Sequence, residues 1–203
     1  FNADSYPAFG LQTMGEKAIA ATQPDGNMSL DLKIEQVKQY PTKDGEVTEI
    51  LLKDKVYPFE IKQYYKAYQG TDIISTWIEI MNNGKKSVTL YRFVSAYLPV
   101  QRGDNWLTHF HGHWGAENML EEEKLTNGQK VISNKDGMVN TETDNPSFML
   151  SIDGKPQEEY GHILGGTLAW TGNYLLKMDI TNTKLNIIAG INEENSHYKL
   201  EPK

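Results

Sequence analysis

Apolar and polar positions alternate with a period of two along much of the chain. Met28, Leu30, Leu32 and Ile34 are interleaved with Ser29, Asp31, Lys33 and Glu35, and Tyr57, Phe59 and Ile61 with Pro58, Glu60 and Lys62. Successive side chains of a β-strand point to opposite faces, so the pattern predicts half-buried strands with one wet face. Residues 72–81 place Ile74, Ile78 and Ile80 on one face and Ile73 and Trp77 on the other, while residues 88–98 are apolar or aromatic on both. These two segments predict strands inside a layered sheet structure. Trp77, and Trp170 in a later strand pattern, are then expected in the core. Between the two segments, Asn82-Asn83-Gly84-Lys85 suits a type I′ turn and predicts a hairpin over 72–98.

Further turns are predicted at Asp25-Gly26, Asp44-Gly45, Asn127-Gly128, Asp136-Gly137 and Asp153-Gly154. Later strands are expected at 148–152, 166–170, 174–179 and 184–190, and the glycine-rich stretch Gly161 to Gly166 reads as a turn leading into one of them. Residues 11–21 and 117–125 have helix-forming composition but no apolar stripe. Short strands separated by polar turns predict an all-β fold, a large two-layer antiparallel sandwich with few or no helices, with residues 1–203 as a single domain.

Composition narrows the function classes. With 38% apolar and 23% charged residues, the 203-residue chain has the balance of a folded domain. The formal charge of −7, with no Lys/Arg run longer than Lys85-Lys86, argues against a nucleic-acid partner. No apolar run approaches the roughly 20 residues of a membrane helix, so no membrane partner is expected. Cysteine is missing, which removes disulfides and thiolate metal sites. The chain opens on Phe1-Asn2-Ala3 and reads as a piece of a longer protein.

Candidate chemistry concentrates in Trp106-Leu107-Thr108-His109-Phe110-His111-Gly112-His113-Trp114. On a strand, His109, His111 and His113 project to one face, and Trp106, Phe110 and Trp114 to the other. Histidines two apart on a strand can share a zinc ion if a further ligand comes from elsewhere. The competing reading is hydrogen bonding within a sheet or at a domain contact, and no metal or other cofactor is assigned. Trp106 and Trp114 are candidates for the core, a domain interface or a sugar-stacking platform. No pair of carboxylates stands out for glycosidic chemistry, and neither a Gly-x-Ser-x-Gly elbow nor a phosphate-binding loop occurs.

Several blocks in order resemble the N-terminal domain of glycoside hydrolase family 36, the bacterial α-galactosidases and their relatives. They are Tyr57-Pro58-Phe59-Glu60-Ile61, the segment Asp72 to Ile80, Leu90-Tyr91-Arg92-Phe93, the block Asn105 to Trp114, Asp144-Asn145-Pro146-Ser147-Phe148, and Tyr160-Gly161 through Leu168-Ala169-Trp170-Thr171-Gly172-Asn173. The resemblance implies a β-sandwich ahead of a downstream (β/α)8 barrel. That barrel would hold the two aspartates of a retaining mechanism, so no catalytic residue is carried onto this chain. It further implies a non-catalytic role: supporting the barrel, and shaping a galactoside substrate entrance or the contacts of a homo-oligomer. A stand-alone carbohydrate-binding module is the alternative. Trp106, His109, His111 and Trp114 are the substrate or domain-interface candidates that match the family block, whereas His113 matches no fixed family position. The family's Asp-Phe-Arg-Glu loop is represented only by Glu16, in Thr13-Met14-Gly15-Glu16, which makes Glu16 the remaining candidate.

Overall fold

A computed structural model describes residues 6–10, 15–137, 144–170, 172–194 and 196–203. Residues 11–14, which open one stretch of helix-forming composition and include Thr13 and Met14, lie outside the described residues, as does Thr171. The described elements are all strands: β1 (Ile19–Thr22), β2 (Leu32–Thr42), β3 (Gly45–Asp54), β4 (Phe59–Tyr68), β5 (Ile74–Asn82), β6 (Val88–Gln101), β7 (Trp106–His113), β8 (Ala116–Lys124), β9 (Gly128–Asn134), β10 (Asp144–Ser151), β11 (Ile163–Thr167), β12 (Tyr174–Ile180), β13 (Lys184–Ile191) and β14 (Tyr198–Leu200). Their pairings are antiparallel, so the all-β antiparallel class expected from the alternation is what the chain forms. The second stretch of helix-forming composition, 117–125, is strand β8 over most of its length. Pairing along β7 outweighs its local propensity.

The chain divides into two compact units. One comprises residues 6–96 and 196–203. Here β2, β3, β4 and β5 form a four-stranded meander in sequence order, and both β1 and β14 pair with β6. Leu52, Phe59 and Ile61 are buried from the meander, and Ile19, Leu90 and Val94 from the β1–β6 pair. Tyr6 is buried with its hydroxyl donating to the Val94 carbonyl at 2.7 Å, and burial pushes its phenol pKa far above the usual value. Two expectations change in this unit. First, β5 and β6 do not form a hairpin: β5 pairs with β4 alone and closes the meander. The Asn82 side chain organises the link instead, accepting from Gly84 N–H at 3.0 Å and donating to the Lys86 carbonyl at 2.8 Å. Gly84 does not take the positive φ that a type I′ turn demands. Second, Trp77 is not a core residue but retains 36% exposure on the edge strand.

The other unit is Tyr97–Glu194. A sheet in the order β11–β10–β7–β8 packs, through β10, on a second sheet built from β9, β12 and β13. Leu107, Phe148 and Leu150 face Ile132, Tyr174, Leu176, Met178, Ile180, Leu185 and Ile187 as a set of buried apolar side chains. Of the later strands, β12 and β13 fall where the alternation places them, whereas β10 begins at Asp144 rather than at Phe148 and β11 spans Ile163–Thr167 rather than 166–170. Gly161, at φ +115°, makes the turn, and Gly166 leaves room for the Phe148 ring across the β10–β11 pair. Trp170, expected in the core, is 48% exposed beyond the end of β11.

Candidate functional site

The His–Trp block forms β7, the strand paired on one side with β10 and on the other with β8. Asn105 anchors its start: the side chain is fully buried and accepts from Gly103 N–H and from Arg102 Nη1 at 2.9 and 3.0 Å, while its carbonyl accepts from Leu125 N–H. Arg102 also borders an open depression with Lys124, Asn127 and Asn182, but its guanidinium is engaged by Thr181, Asn105 and Leu125. The strand ends at His113, and a two-residue turn, Trp114-Gly115, leads into β8. Gly115 supplies φ +81° there. Gly112 sits where the β7–β8 register slips between His111 and His113; a Cβ on it would lie 2.9 Å from the Ala116 carbonyl oxygen, Asn118 N and Glu117 Cα. Two glycines thus bend the end of the strand into a bulged hairpin.

The three histidines share a strand parity but not an environment. His109 is 2% exposed. Its Nε2–H donates to Glu123 at 3.3 Å, with Glu121 at 3.5 Å, while Nδ1 is buried without a partner. Partial burial pushes the Glu123 carboxyl up, but the hydrogen bond and charge of Lys130, joined by those of His109, outweigh it and hold Glu123 below its usual pKa. His111 is exposed and donates to Asp144 on β10 at 3.4 Å. His113, past the bulge, donates to the Trp114 carbonyl at 3.0 Å. Among the described residues no three His, Asp or Glu side chains gather closely enough to hold a metal ion. Each histidine is committed to its own acceptor, the sheet hydrogen-bonding arrangement weighed against zinc above.

The tryptophans separate as well. Trp106 lies half-buried on the opposite face of β7, with Lys155 Nζ 5.6 Å from its ring centroid and its indole N–H buried without a partner. Trp114 is expected on the same strand face as Trp106 and Phe110; it lies instead in the turn and is 82% exposed, because β7 ends at His113. Glu16 belongs to the other compact unit, where Arg92 holds it with a 2.5 Å ion pair. The structure therefore gathers Trp106, His109, His111 and Trp114 on one strand and its turn, and leaves Glu16 outside that group.

Register across the β8–β7–β10–β11 sheet adds a feature the sequence reading missed. Leu120 pairs with Phe110, Met149 with Thr108, and Ser151 with both Trp106 and Ile163. Leu120, Phe110, Trp106, Met149 and Ile163 consequently share one face, and Leu120, Met149 and Ile163 are exposed on it. The signal was Leu120 in β8, whose segment read as helix-prone rather than as a strand.

The described strands form antiparallel sheets, and one of them carries an exposed aliphatic face beside Trp106 and Phe110. The chain belongs to the glycosyl hydrolase family 36 N-terminal domain family, whose sequence model matches residues 2–201. It is similar to α-galactosidase AgaA of Geobacillus stearothermophilus, 23% identical over 97% of this chain and 29% of that protein. It is also similar to α-galactosidase Mel36A of Lactobacillus acidophilus, 26% identical over 100% of this chain and 30% of that protein. Thus it spans less than a third of the length of these curated relatives. The fold matches the crystal structure of AgaA with a TM-score of 0.90 at 23% identity over 97% of this chain, and that of the Lactobacillus brevis α-galactosidase with a TM-score of 0.85 at 22% identity.

Proposed function

We propose that this chain serves as the non-catalytic N-terminal domain of a retaining α-galactosidase acting on terminal α-galactosides. In this reading a downstream (β/α)8 barrel carries the chemistry, and residues 1–203 act together as its accessory domain. One observation carries the proposal: the family match extends over residues 2–201, yet the chain covers only 29% of AgaA, a protein named as an α-galactosidase. The open face of the β8–β7–β10–β11 sheet supports it, since contiguous apolar side chains on a sheet face mark interaction sites. We assign that face, with Trp106 on it, to the barrel contact, and the exposed Trp114 at the neighbouring turn to the substrate entrance. His109 and His111 hold the strand in register through Glu123 and Asp144. The test is an assay of the pure chain on p-nitrophenyl α-galactoside. No turnover is expected, while a protein extended through the rest of the reading frame hydrolyses it. Significant turnover by the 203-residue chain would sink the proposal.

A carbohydrate-binding module is the second reading, favoured by the 82% exposure of Trp114. It expects binding heat with melibiose or raffinose that Trp114→Ala removes.

A further inference from the structure

The unit that does not contain β7 carries a second aromatic arrangement. Tyr64 on β4 and Trp77 on β5 are direct cross-strand partners. Their rings stack with centroids 4.9 Å apart and planes 8° apart, a separation equal to the spacing of neighbouring strands. The rings therefore stand side by side on the sheet like two upright plates, with the stacking axis running from strand to strand. Tyr64 is 7% exposed and covers the inner face of Trp77. Because β5 closes the meander, the outer face of Trp77 looks off the sheet edge, which accounts for its 36% exposure. Cross-strand stacking explains the inner contact as sheet stabilisation. It does not explain why the largest aromatic side chain occupies the edge position.

The groups beside that ring are polar. Ser75 and Glu79 lie two residues to either side of Trp77 on the same strand face, each about 7 Å along the strand. Glu79 accepts the Tyr64 hydroxyl at 3.0 Å and has no other hydrogen bond or ion pair among the described residues. Ser75 donates to the Tyr68 hydroxyl at 3.3 Å, and Lys66 lies over the Tyr68 ring while pairing with Asp44 at 2.6 Å. The Trp77 indole N–H has no partner among the described residues.

We infer that the outer face of Trp77, flanked by Ser75 and Glu79, is a binding subsite for a neutral hexopyranose unit of a glycan. A pyranose offers a flat C–H face to the indole and hydroxyls at its rim. The spare Glu79 oxygen accepts from one hydroxyl, and the indole N–H and Ser75 meet others. The Glu79 carboxylate selects against uronic and sialic acids through like-charge repulsion. Tyr64 holds the indole upright before the sugar arrives, so little side-chain freedom is lost on binding. This subsite lies on residues distinct from Trp106 and Trp114 and does not depend on the α-galactosidase reading.

The experiment is a heteronuclear NMR titration of the 203-residue chain with raffinose and, separately, with galactomannan oligosaccharides. Four indole N–H signals are expected from the four tryptophans, and Trp77→Phe assigns the relevant one. Saturable shifts of the Trp77 indole and of the Ser75 and Glu79 amides are expected. Trp77→Ala should weaken binding roughly tenfold, in line with the loss of one aromatic stacking partner. Glu79→Gln, which keeps the stack, should relax the discrimination against galacturonate. Trp106→Ala and Trp114→Ala should leave the Trp77 shifts intact. No Trp77 shift with either sugar, in protein whose circular dichroism is that of a folded β domain, overturns the inference. So do shifts confined to Trp106 and Trp114, or β5 shifts that follow protein concentration without sugar, which would mark the edge as a contact between copies of this chain.

Discussion

His109 shows how a single side chain can be fixed by structure and still look like chemistry. Its ring is closed off from solvent, one nitrogen is bonded to Glu123 and the other has no partner. Removing the ring leaves a cavity and strips Glu123 of one of its two partners, so His109→Ala is expected to destabilise the domain by about 1–3 kcal/mol. His109→Phe should cost less, because it refills the volume and eliminates the orphaned nitrogen while Lys130 still holds Glu123. Urea midpoints of the two variants check this, and an equal loss in both would mean that the Glu123 bond dominates. Glu123 itself gives a pH signature. Its folded pKa is lowered, so its stabilising contribution is complete above the ordinary glutamate value of about 4.3 and is lost as pH falls through the lower folded value. Glu123→Gln should therefore flatten the acid limb of the stability curve below pH of about 4.3 and leave its dependence near neutrality unchanged.

At the scale of the element, the β7–β8 hairpin depends on two glycines for different reasons. Gly112 is constrained by space: the atoms a Cβ would meet are backbone, at 2.9 Å, and cannot rotate away. Gly115 is constrained by torsion alone, with φ +81° and nothing within 4 Å. Gly115→Ala is expected to cost about 1 kcal/mol, the left-handed penalty of an L-residue. Gly112→Ala should cost more, about 1–3 kcal/mol, and shift the His111 and His113 amides as the bulge opens. Thermal unfolding and amide shifts distinguish the two. The same hairpin shows what alternation can and cannot convey. The period-two pattern located β4, β12 and β13, whose burial alternates along much of the strand or is continuous. It failed where a side chain took over from backbone geometry, as at Asn82, and where a bulge broke parity, as at Glu117-Asn118 in β8 and between Ile34 and Gln36 in β2. Trp77 was misplaced because a pattern identifies the face of a strand but not whether that strand lies inside a sheet or at its edge, and Trp170 because β11 ends at Thr167, before it.

For the whole molecule, the decisive quantity is what covers the open face of the β8–β7–β10–β11 sheet. Leu120 is 58%, Ile163 47% and Met149 40% exposed. A domain that functioned alone would leave these side chains in water with no return on the exposure. If the face meets the rest of a longer α-galactosidase, a charge placed there acts only when that partner is present. Leu120→Lys and Met149→Lys are therefore expected to change the stability of the 203-residue chain by no more than about 0.5 kcal/mol, as exposed substitutions usually do. In the extended protein the same substitutions bury an unpaired ammonium, which costs several kcal/mol. They should lower the yield of folded enzyme and the temperature at which activity is lost, without altering KM in the fraction that remains folded. Equal, small effects in both contexts would move the contact to another surface. A change in KM at unchanged thermal stability would instead place this face at the substrate entrance, apart from the domain contact.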